Sequence, residues 1–240
     1  MDMSEFTNGP LTLDEMIKIV SLLENPKEAV HIRKALRFYV VPEDIEYKWG
    51  ENQKTMTILN HYSNPQSKAE LDWMLKIIED NKCGSLLEIG SSFGGTLKRM
   101  AAVMPKGSQI VAVDMPADET PKFLNPVDSL KETCGQLCKL GANVELFLGD
   151  SQNSKIVEAV SAYGPYDFIF IDADHTYLGM KTDWENYGPM GRIVAFHDIG
   201  GNIPGCTKAW EEIKASGVHT EEYTDQNNDH RFGIGIVYRE

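Results

Sequence analysis

The sequence predicts an α/β fold, in which a mostly parallel sheet is covered by helices on both faces, with a helical attachment at the N-terminus. From Lys68 onward, short apolar runs typical of buried strands alternate with amphipathic helical patterns. Several of these runs end in acidic residues or histidine, as expected where a ligand crevice lies at the carboxyl ends of the strands. The 240 residues, 42% hydrophobic and 25% charged, are sufficient to bury such a core.

The first part of the chain predicts helices that do not belong to the sheet. Apolar residues recur with helical spacing from Thr12 to Glu24, and a second helix is predicted from Pro26 to about Tyr39. The stretch from Val41 to Pro65 has no clear period and ends in turn-forming residues, so it is interpreted as a connection. We therefore divide the chain into an attachment at 1–62 and the main domain at 63–240.

The main domain is predicted to contain seven strands. They are Ser85–Gly90, Gln109–Asp114, Asn143–Gly149, Tyr166–Asp172, Arg192–His197, Val218–Tyr223 and Gly233–Arg239. The predicted helices lie at 68–80, 95–104, 127–140, 156–164, 178–187 and 207–216. Only nine residues separate the last two strands, too few for a helical crossover, so the final strand is predicted to be antiparallel.

Charge and targeting signals exclude several classes of partner. The formal net charge of -13 repels polyanions, so nucleic acid is not an expected partner. The acidic start resembles no signal peptide, and no apolar run approaches the ~20 residues of a membrane span, so we expect a cytoplasmic protein without a membrane partner. The four cysteines form no CxxC motif, which favours reduced thiols over a disulfide or metal clip. Homo-oligomer formation is left open.

A glycine-rich turn follows the first strand of the main domain. Gly90 and Gly94 flank it, and glycine there allows the backbone to approach a ligand at a helix N-terminus. Ser92 occupies the second glycine position of the dinucleotide fingerprint, which argues against NAD. A purely structural turn is the alternative interpretation.

The next two strands also end in polar residues. Asp114 lies roughly 20 residues beyond the glycine turn, where a carboxylate can accept hydrogen bonds from both hydroxyls of a ribose. Asp150 and Ser151 end the third strand. The alternatives are a solvated carboxylate at Asp114 and a helix cap at Asp150.

The fourth and fifth strands end in a second group of polar residues. Asp172, Asp174 and His175 follow one apolar run, and His197 with Asp198 end the next. The carboxyl ends of parallel strands meet at one edge of the sheet, so we expect one site. The alternative is that Asp174, His175 and Thr176 cap the following helix beside a solvated Asp172; Asp174 alone is either a cap or a third metal ligand.

These motifs resemble those of class I S-adenosylmethionine-dependent methyltransferases, whose Rossmann-like sheet has seven strands, one of them antiparallel. The resemblance covers about Ser63 to Arg239. It implies S-adenosyl-L-methionine as cofactor, with Glu88, Gly90, Ser91 and Gly94 at its methionine part, Asp114 at the ribose, Asp150 and Ser151 at the adenine, and Asp172 nearby.

The stretch IDADHTY, followed by a strand that ends in HD, resembles the metal-dependent O-methyltransferases of the cephalosporin-hydroxylase type. These include macrolide-sugar methyltransferases and are distantly similar to catechol O-methyltransferase. The resemblance implies a divalent cation, Mg²⁺ or Mn²⁺, between Asp172 and Asp198, with His175 as base. His197 either lies outside the ligand set or indicates an ion that accepts nitrogen, since Mg²⁺ prefers oxygen.

The chemistry supports this interpretation, because a divalent cation acidifies a bound hydroxyl and a neutral imidazole can then remove its proton. The expected substrate is a hydroxyl of a small molecule: a sugar, a phenol or a natural product. Three alternatives stay open: a non-methylating member of the group that binds ligands or assists an oxygenase, a metal-free methyltransferase, and a nucleic-acid methyltransferase. The last lacks the Asn/Asp-Pro-Pro-aromatic stretch after the fourth strand.

Overall fold

The computed structural model of the chain describes residues 67–115, 126–201, 203–225 and 232–239, and the backbone of two short strands at 45–48 and 55–58. The helices predicted at Thr12–Glu24 and Pro26–Tyr39 lie outside these residues. Within the described part of the chain, no helix is both long and apolar enough to cross a bilayer.

The two short strands lie in the stretch that the sequence analysis interpreted as a connection. Strand β1 (Ile45–Lys48) pairs antiparallel with β2 (Thr55–Ile58), with Ile45 opposite Ile58. The interpretation was wrong at these eight positions. Each strand alternates polar and apolar residues over four positions only, too short a run to reveal its period.

The remaining strands form one seven-stranded mixed sheet. They are β3 (Ser85–Ile89), β4 (Gln109–Asp114), β5 (Asn143–Leu148), β6 (Tyr166–Ile171), β7 (Gly191–His197), β8 (His219–Tyr223) and β9 (Ile234–Tyr238), and their spatial order is β5-β4-β3-β6-β7-β9-β8. Strand β9 pairs antiparallel with both β7 and β8, whereas the pairings from β5 to β7 are parallel. The predicted Rossmann-like sheet of seven strands, one of them antiparallel, is confirmed.

Helices cover both faces of this sheet, as predicted. We number them among the described residues as α1 (Lys68–Asp80), α2 (Gly95–Ala102), α3 (Pro126–Leu140), α4 (Ser154–Ser161), α5 (Tyr177–Tyr187) and α6 (Pro204–Ala215). Side chains of α1, α2 and α3 share one apolar core with one face of the sheet, and those of α4, α5 and α6 share a second core with the other face. The central strands β3 and β6 are buried on both faces and hold the carboxyl edge of the sheet in place.

Candidate active site

The candidate active site is a cavity of about 520 Å³ at the carboxyl ends of β3, β4, β5 and β6. Thirteen residues line it: Gly90, Ser92, Val113, Asp114, Met115, Gly149, Asp150, Ser151, Gln152, Asp172, Ala173, Asp174 and His175. The polar ends of four predicted strands therefore meet in one crevice. A cavity of this size is within the range of small-molecule and cofactor sites.

Gly90 is required by the close approach of two strand ends. Its φ is +89°, and a Cβ at this position would overlap the carbonyl oxygen of Asp172 and lie 2.8 Å from Cα of Ala173. The amide of Asp172 donates to the carbonyl of Ile89 at 2.8 Å, which continues the β3–β6 pairing into the crevice. Any larger residue at position 90 would separate the glycine turn from the Asp172 loop.

The glycine turn is fastened to Asp114. Ser92 adopts a φ of +48°, and its N–H donates to Oδ2 of Asp114. Burial raises the pKa of Asp114, while the N–H groups of Ser92 and Met115 favour the ionised form. Gly94 is the N-cap of α2 and has a φ of +80°, and a Cβ there would lie 2.9 Å from the Thr133 side chain. The hydrogen bond from Ser92 therefore brings the Asp114 carboxylate and the N-terminus of α2 to the same edge of the sheet.

Glu88 and Ser91 lie beside the cavity without lining it. Glu88 is only 1% exposed, and burial, reinforced by the carboxylates of Asp172 and Asp114, raises its pKa to about 8. Its Oε2 and the Ser91 hydroxyl have no hydrogen-bond partner among the described residues. Glu88 is thus mainly protonated at pH 7, and its predicted contact with the cofactor stays a prediction.

The end of β5 is held by α5 beneath it. The Ser151 hydroxyl donates to Oδ1 of Asp183 at 2.8 Å, and the Tyr187 hydroxyl donates to the carbonyl of Ser151 at 2.6 Å. Asp183 is completely buried, and desolvation raises its pKa to about 6. The Ser151 hydroxyl is therefore occupied by α5, while Ser151 still lines the cavity that it was predicted to serve.

Asp150 does not cap α4. Its Oδ1 accepts from the amide of Gln152 at 2.9 Å, and the N-cap of α4 is Asn153, whose side chain accepts from Lys155. Asp150 instead shapes the turn after β5 and faces the cavity. The helix-cap alternative at this position is wrong.

Two carboxylates and an imidazole converge beside this cavity. One ligand atom from each of Asp172, His175 and Asp198 can be chosen so that all three lie within 4.8 Å of one another. Nδ1 of His175 is hydrogen-bonded to Oδ2 of Asp198, and Nε2 lies 3.8 Å from Oδ1 of Asp172. The hydrogen bond to Asp198 raises the pKa of His175. The expected convergence of the fourth and fifth predicted strands is present.

Asp198 occupies an unusual backbone position. Its φ is +63°, in the left-handed region that non-glycine residues rarely adopt, and it is only 3% exposed. Burial opposes ionisation, but the imidazoles of His175 and His197 outweigh it and hold the pKa of Asp198 below its usual range. A left-handed residue next to a cluster of charges is typical of a functional site.

His197 is buried behind the two carboxylates. Nδ1 lies 3.2 Å from Oδ1 of Asp172 and 3.4 Å from Oδ1 of Asp198, although neither ring nitrogen makes a hydrogen bond of normal geometry with a described residue. Its ring packs near those of Phe170 and Phe232. Burial disfavours the imidazolium, but the two carboxylates overcome this and raise its pKa to about 10. His197 thus faces both predicted metal carboxylates.

The cap of α5 is Thr176, not Asp174 or His175. The Thr176 hydroxyl accepts from the amide of Gly179 at 3.0 Å. Asp174 accepts from the amide of Thr176 at 3.0 Å and also lines the cavity. The capping interpretation is therefore confirmed for Thr176 and wrong for Asp174 and His175, and Asp172 and His175 belong to the cluster described above.

Several lining residues were missed by sequence reasoning. Met115, Gln152 and Ala173 each follow a predicted site residue directly in the chain, and Ser92 interrupts the glycine pattern. Their adjacency to the ends of strands was the available signal. Asp183 gave no such signal, because an acidic residue in a helix is usually solvated.

The donor set fits a hard divalent cation. Hard cations such as Mg²⁺ prefer carboxylate oxygens. Transition-metal ions such as Mn²⁺ also accept imidazole nitrogen. Asp172 and Asp198 supply the oxygens, and Oδ1 of Asp198 is buried without a hydrogen-bond partner among the described residues. A cation here would compensate two carboxylates that are now balanced by imidazoles.

Comparison with known proteins agrees with this geometry. Residues 87–199 match the model of a family described as a methyltransferase domain. The solved O-methyltransferase from Bacillus cereus in complex with SAH is 14% identical, with 95% of this chain and 100% of that chain covered and a TM-score of 0.57. TomG, an O-methyltransferase from Streptomyces achromogenes solved in complex with SAM, is 14% identical, with 92% and 94% covered and a TM-score of 0.58.

At these identities the solved structures show a shared fold, and the family model adds a match over residues 87–199. The matched range begins within β3 and ends at Ile199 after β7, so it includes the cavity and the Asp172–Asp198 cluster. By its fold the chain resembles class I S-adenosylmethionine-dependent methyltransferases, and its residues 87–199 match a methyltransferase domain.

Proposed function

We propose that the chain is a divalent-metal-dependent O-methyltransferase, which transfers the methyl group of S-adenosylmethionine to a hydroxyl of a small molecule. The observation that carries the proposal is the cluster of Asp172, His175 and Asp198 at the wall of the cofactor-sized cavity. Asp172 and His175 line that cavity, so the cluster and the cavity share an edge. Both similar structures reported above are O-methyltransferases.

The cavity supplies the groups that S-adenosylmethionine requires. Asp114 can accept hydrogen bonds from the ribose hydroxyls, and Gly90 lets the chain approach the methionine part closely. The turn from Gly149 to Gln152 lines the opposite end, where the adenine would lie. The sulfonium is an activated methyl donor, so positioning provides much of the catalysis.

His175 is the group assigned to proton removal. Its side chain is 48% exposed, and Nδ1 is held by Asp198, which leaves Nε2 to accept a proton. Bound S-adenosylmethionine would supply the methyl group to the acceptor oxygen and keep the electron pair of the carbon–sulfur bond on sulfur, and Nε2 of His175 would take the hydroxyl proton. Asp198 orients the imidazole and stabilises its charged form.

Asp172 and Asp198 would hold the cation, with His197 behind them. A divalent cation at this position would stabilise a developing alkoxide and orient the acceptor hydroxyl. The loop after β7 contains Asp198, and Gly205 in the first turn of α6 lies close to the His175 backbone, so these elements would contribute to the acceptor pocket. We expect the acceptor to be a sugar, a phenol or a hydroxylated natural product.

The test is methyl transfer from S-adenosylmethionine to a panel of these acceptors, with Mg²⁺ or Mn²⁺ and with excess chelator. Chelator should abolish turnover, and added cation should restore it. Asp172→Asn should lose activity, whereas Asp80→Asn, which alters an exposed carboxylate at the end of α1, should not. Full activity in chelator would establish a metal-free methyltransferase. Cofactor binding without transfer to any acceptor would favour the non-methylating alternative.

A further inference from the structure

Glu70 is a buried carboxylate that lies outside the candidate active site. It is located in the first turn of α1 and is completely buried. Its Oε1 accepts from the amides of Asp225 at 2.8 Å and of Gly233 at 3.1 Å. These two amides flank the segment between β8 and β9, so one carboxylate oxygen joins both ends of that segment.

Phe232 and Gly233, which lead into β9, lie against the loop that follows β7. The amide of Gly200 donates to the carbonyl of Phe232 at 2.6 Å, and the amide of Ile199 lies 3.4 Å from the carbonyl of Gly233. Gly233 has a φ of +74°, and a Cβ there would lie 3.0 Å from the Gly200 amide and 3.1 Å from the Ile199 side chain. The start of β9 and the loop after β7 are therefore in close contact, with little room for displacement.

Two residues of this contact, Ile199 and Phe232, lie next to the cluster of Asp172, His175 and Asp198. Asp198 immediately precedes Ile199 and holds a left-handed φ of +63°. The Phe232 ring lies 5.6 Å, centroid to centroid, from the His197 ring. A shift of the β9 start would therefore displace the left-handed turn at Asp198 and the ring of His197 together.

We propose that Glu70 is a positioning residue for the candidate metal site. By clamping Asp225 and Gly233, it fixes the β9 start against Ile199 and Gly200 and so holds Asp198 in the conformation that brings its carboxylate to Asp172. Glu70 neither lines the cavity nor belongs to the cluster of Asp172, His175 and Asp198. This inference rests on the proposed metal-dependent function.

The experiment measures Mn²⁺ affinity by electron paramagnetic resonance of free Mn²⁺, and S-adenosylmethionine affinity by calorimetry, on the full chain. Glu70→Ala should weaken Mn²⁺ binding about tenfold and leave S-adenosylmethionine binding within about twofold, since the glycine turn and Asp114 follow β3 and β4, which β6 and β7 separate from β9. Glu70→Gln should retain most of the Mn²⁺ affinity, because an amide oxygen can accept the same two N–H groups. The matched control is Glu79→Ala, at an exposed position of the same helix.

Equal Mn²⁺ affinity in Glu70→Ala and the wild type would overturn this inference and leave the proposed function intact. An equal loss of Mn²⁺ and S-adenosylmethionine binding would also overturn it, because that result indicates general loosening of the fold. If Glu70→Ala does not fold, Glu70→Asp replaces it, with a side chain one methylene too short for the clamp, and is judged by the same two results. Absence of Mn²⁺ binding by the wild type would overturn the proposed metal site and this inference with it.

Discussion

Individual residues of the cavity make separable contributions, and Asp114 is the first of them. It joins the glycine turn to the end of β4 and is the carboxylate assigned to the ribose. Asp114→Ala should weaken S-adenosylmethionine binding by ~1.5–3 kcal/mol, because ribose hydroxyls and the Ser92 N–H both lose an acceptor. Calorimetric titration measures this change. Unchanged affinity would remove Asp114 from the cofactor site.

Replacing His175 should affect the chemical step without affecting cofactor binding. His175→Ala should lower kcat by roughly 10²–10⁴, the usual contribution of a positioned general base, and should leave S-adenosylmethionine affinity unchanged. Steady-state kinetics at saturating cofactor and Mn²⁺ measure the first quantity, and calorimetry measures the second. If the variant instead regains activity when more Mn²⁺ is added, His175 is a metal ligand and not the base.

How far each site residue could be predicted depends on whether its role follows from local sequence. Gly90, Asp114 and Asp172 end apolar runs, and the sheet then places them at one edge. The left-handed backbone of Asp198 could not be predicted, because no glycine or asparagine marks the position. The hydrogen bond from Nδ1 of His175 to Asp198 depends on two elements that meet only in the folded chain.

At the scale of elements, α5 links the two ends of the site. Its N-terminus follows His175, and its buried Asp183 and Tyr187 hold Ser151 at the end of β5.

Most element positions followed from apolar runs of four to six residues bounded by turn residues. The β1–β2 pair did not, because four-residue strands carry too little pattern.

Asp183 should make stability depend on pH. Burial raises its pKa to about 6, above the ~3.9 of an unfolded chain, so ionisation destabilises the folded state as pH rises through this interval. Asp183→Asn removes this titration. The difference in free energy of unfolding, variant minus wild type, should therefore increase by on the order of 2 kcal/mol between pH 4 and pH 7 and then level off.

Urea unfolding at several pH values measures this difference. Glu185→Gln, at an exposed position of the same helix, is the control and should show a nearly constant difference. A constant difference for Asp183→Asn as well would mean that Asp183 is already ionised at acid pH, and that the carboxylate is better solvated than its burial indicates.

The contact between α5 and α6 depends on a single glycine. A Cβ at Gly205 would lie 2.6 Å from the Tyr177 amide and 3.2 Å from the His175 carbonyl oxygen, and backbone cannot yield as a flexible side chain does. Gly205→Ala should therefore cost ~1–3 kcal/mol of stability and displace His175, with a fall in kcat. The control is Gly135→Ala in α3, where an added Cβ would meet nothing within 4 Å. This substitution should stabilise the helix by ~0.5–1 kcal/mol. If the two substitutions change stability and kcat to a similar extent, the prediction for Gly205 is wrong.

The whole molecule has a charge suited to cationic ligands. Its net charge of -13 disfavours polyanions, whereas a sulfonium cofactor and a divalent cation are both attracted to such a protein. The carboxylates of the site add to this field locally, since Asp114, Asp150, Asp172 and Asp174 all line the cavity. The negative net charge is thus consistent with the proposed cationic ligands, although it could not have shown where they bind.

Because the cavity is built from the ends of four neighbouring strands, cofactor binding should stabilise the entire sheet domain. A ligand that binds only the folded state at 100 times its Kd adds ~2.7 kcal/mol to the free energy of unfolding. For a chain of this size each kcal/mol shifts Tm by ~2–4 °C, so S-adenosylmethionine should raise Tm by ~5–11 °C. Thermal unfolding followed by circular dichroism measures the shift. Asp114→Ala at the same cofactor concentration should show a much smaller one, and an equal shift in both proteins would place the cofactor elsewhere.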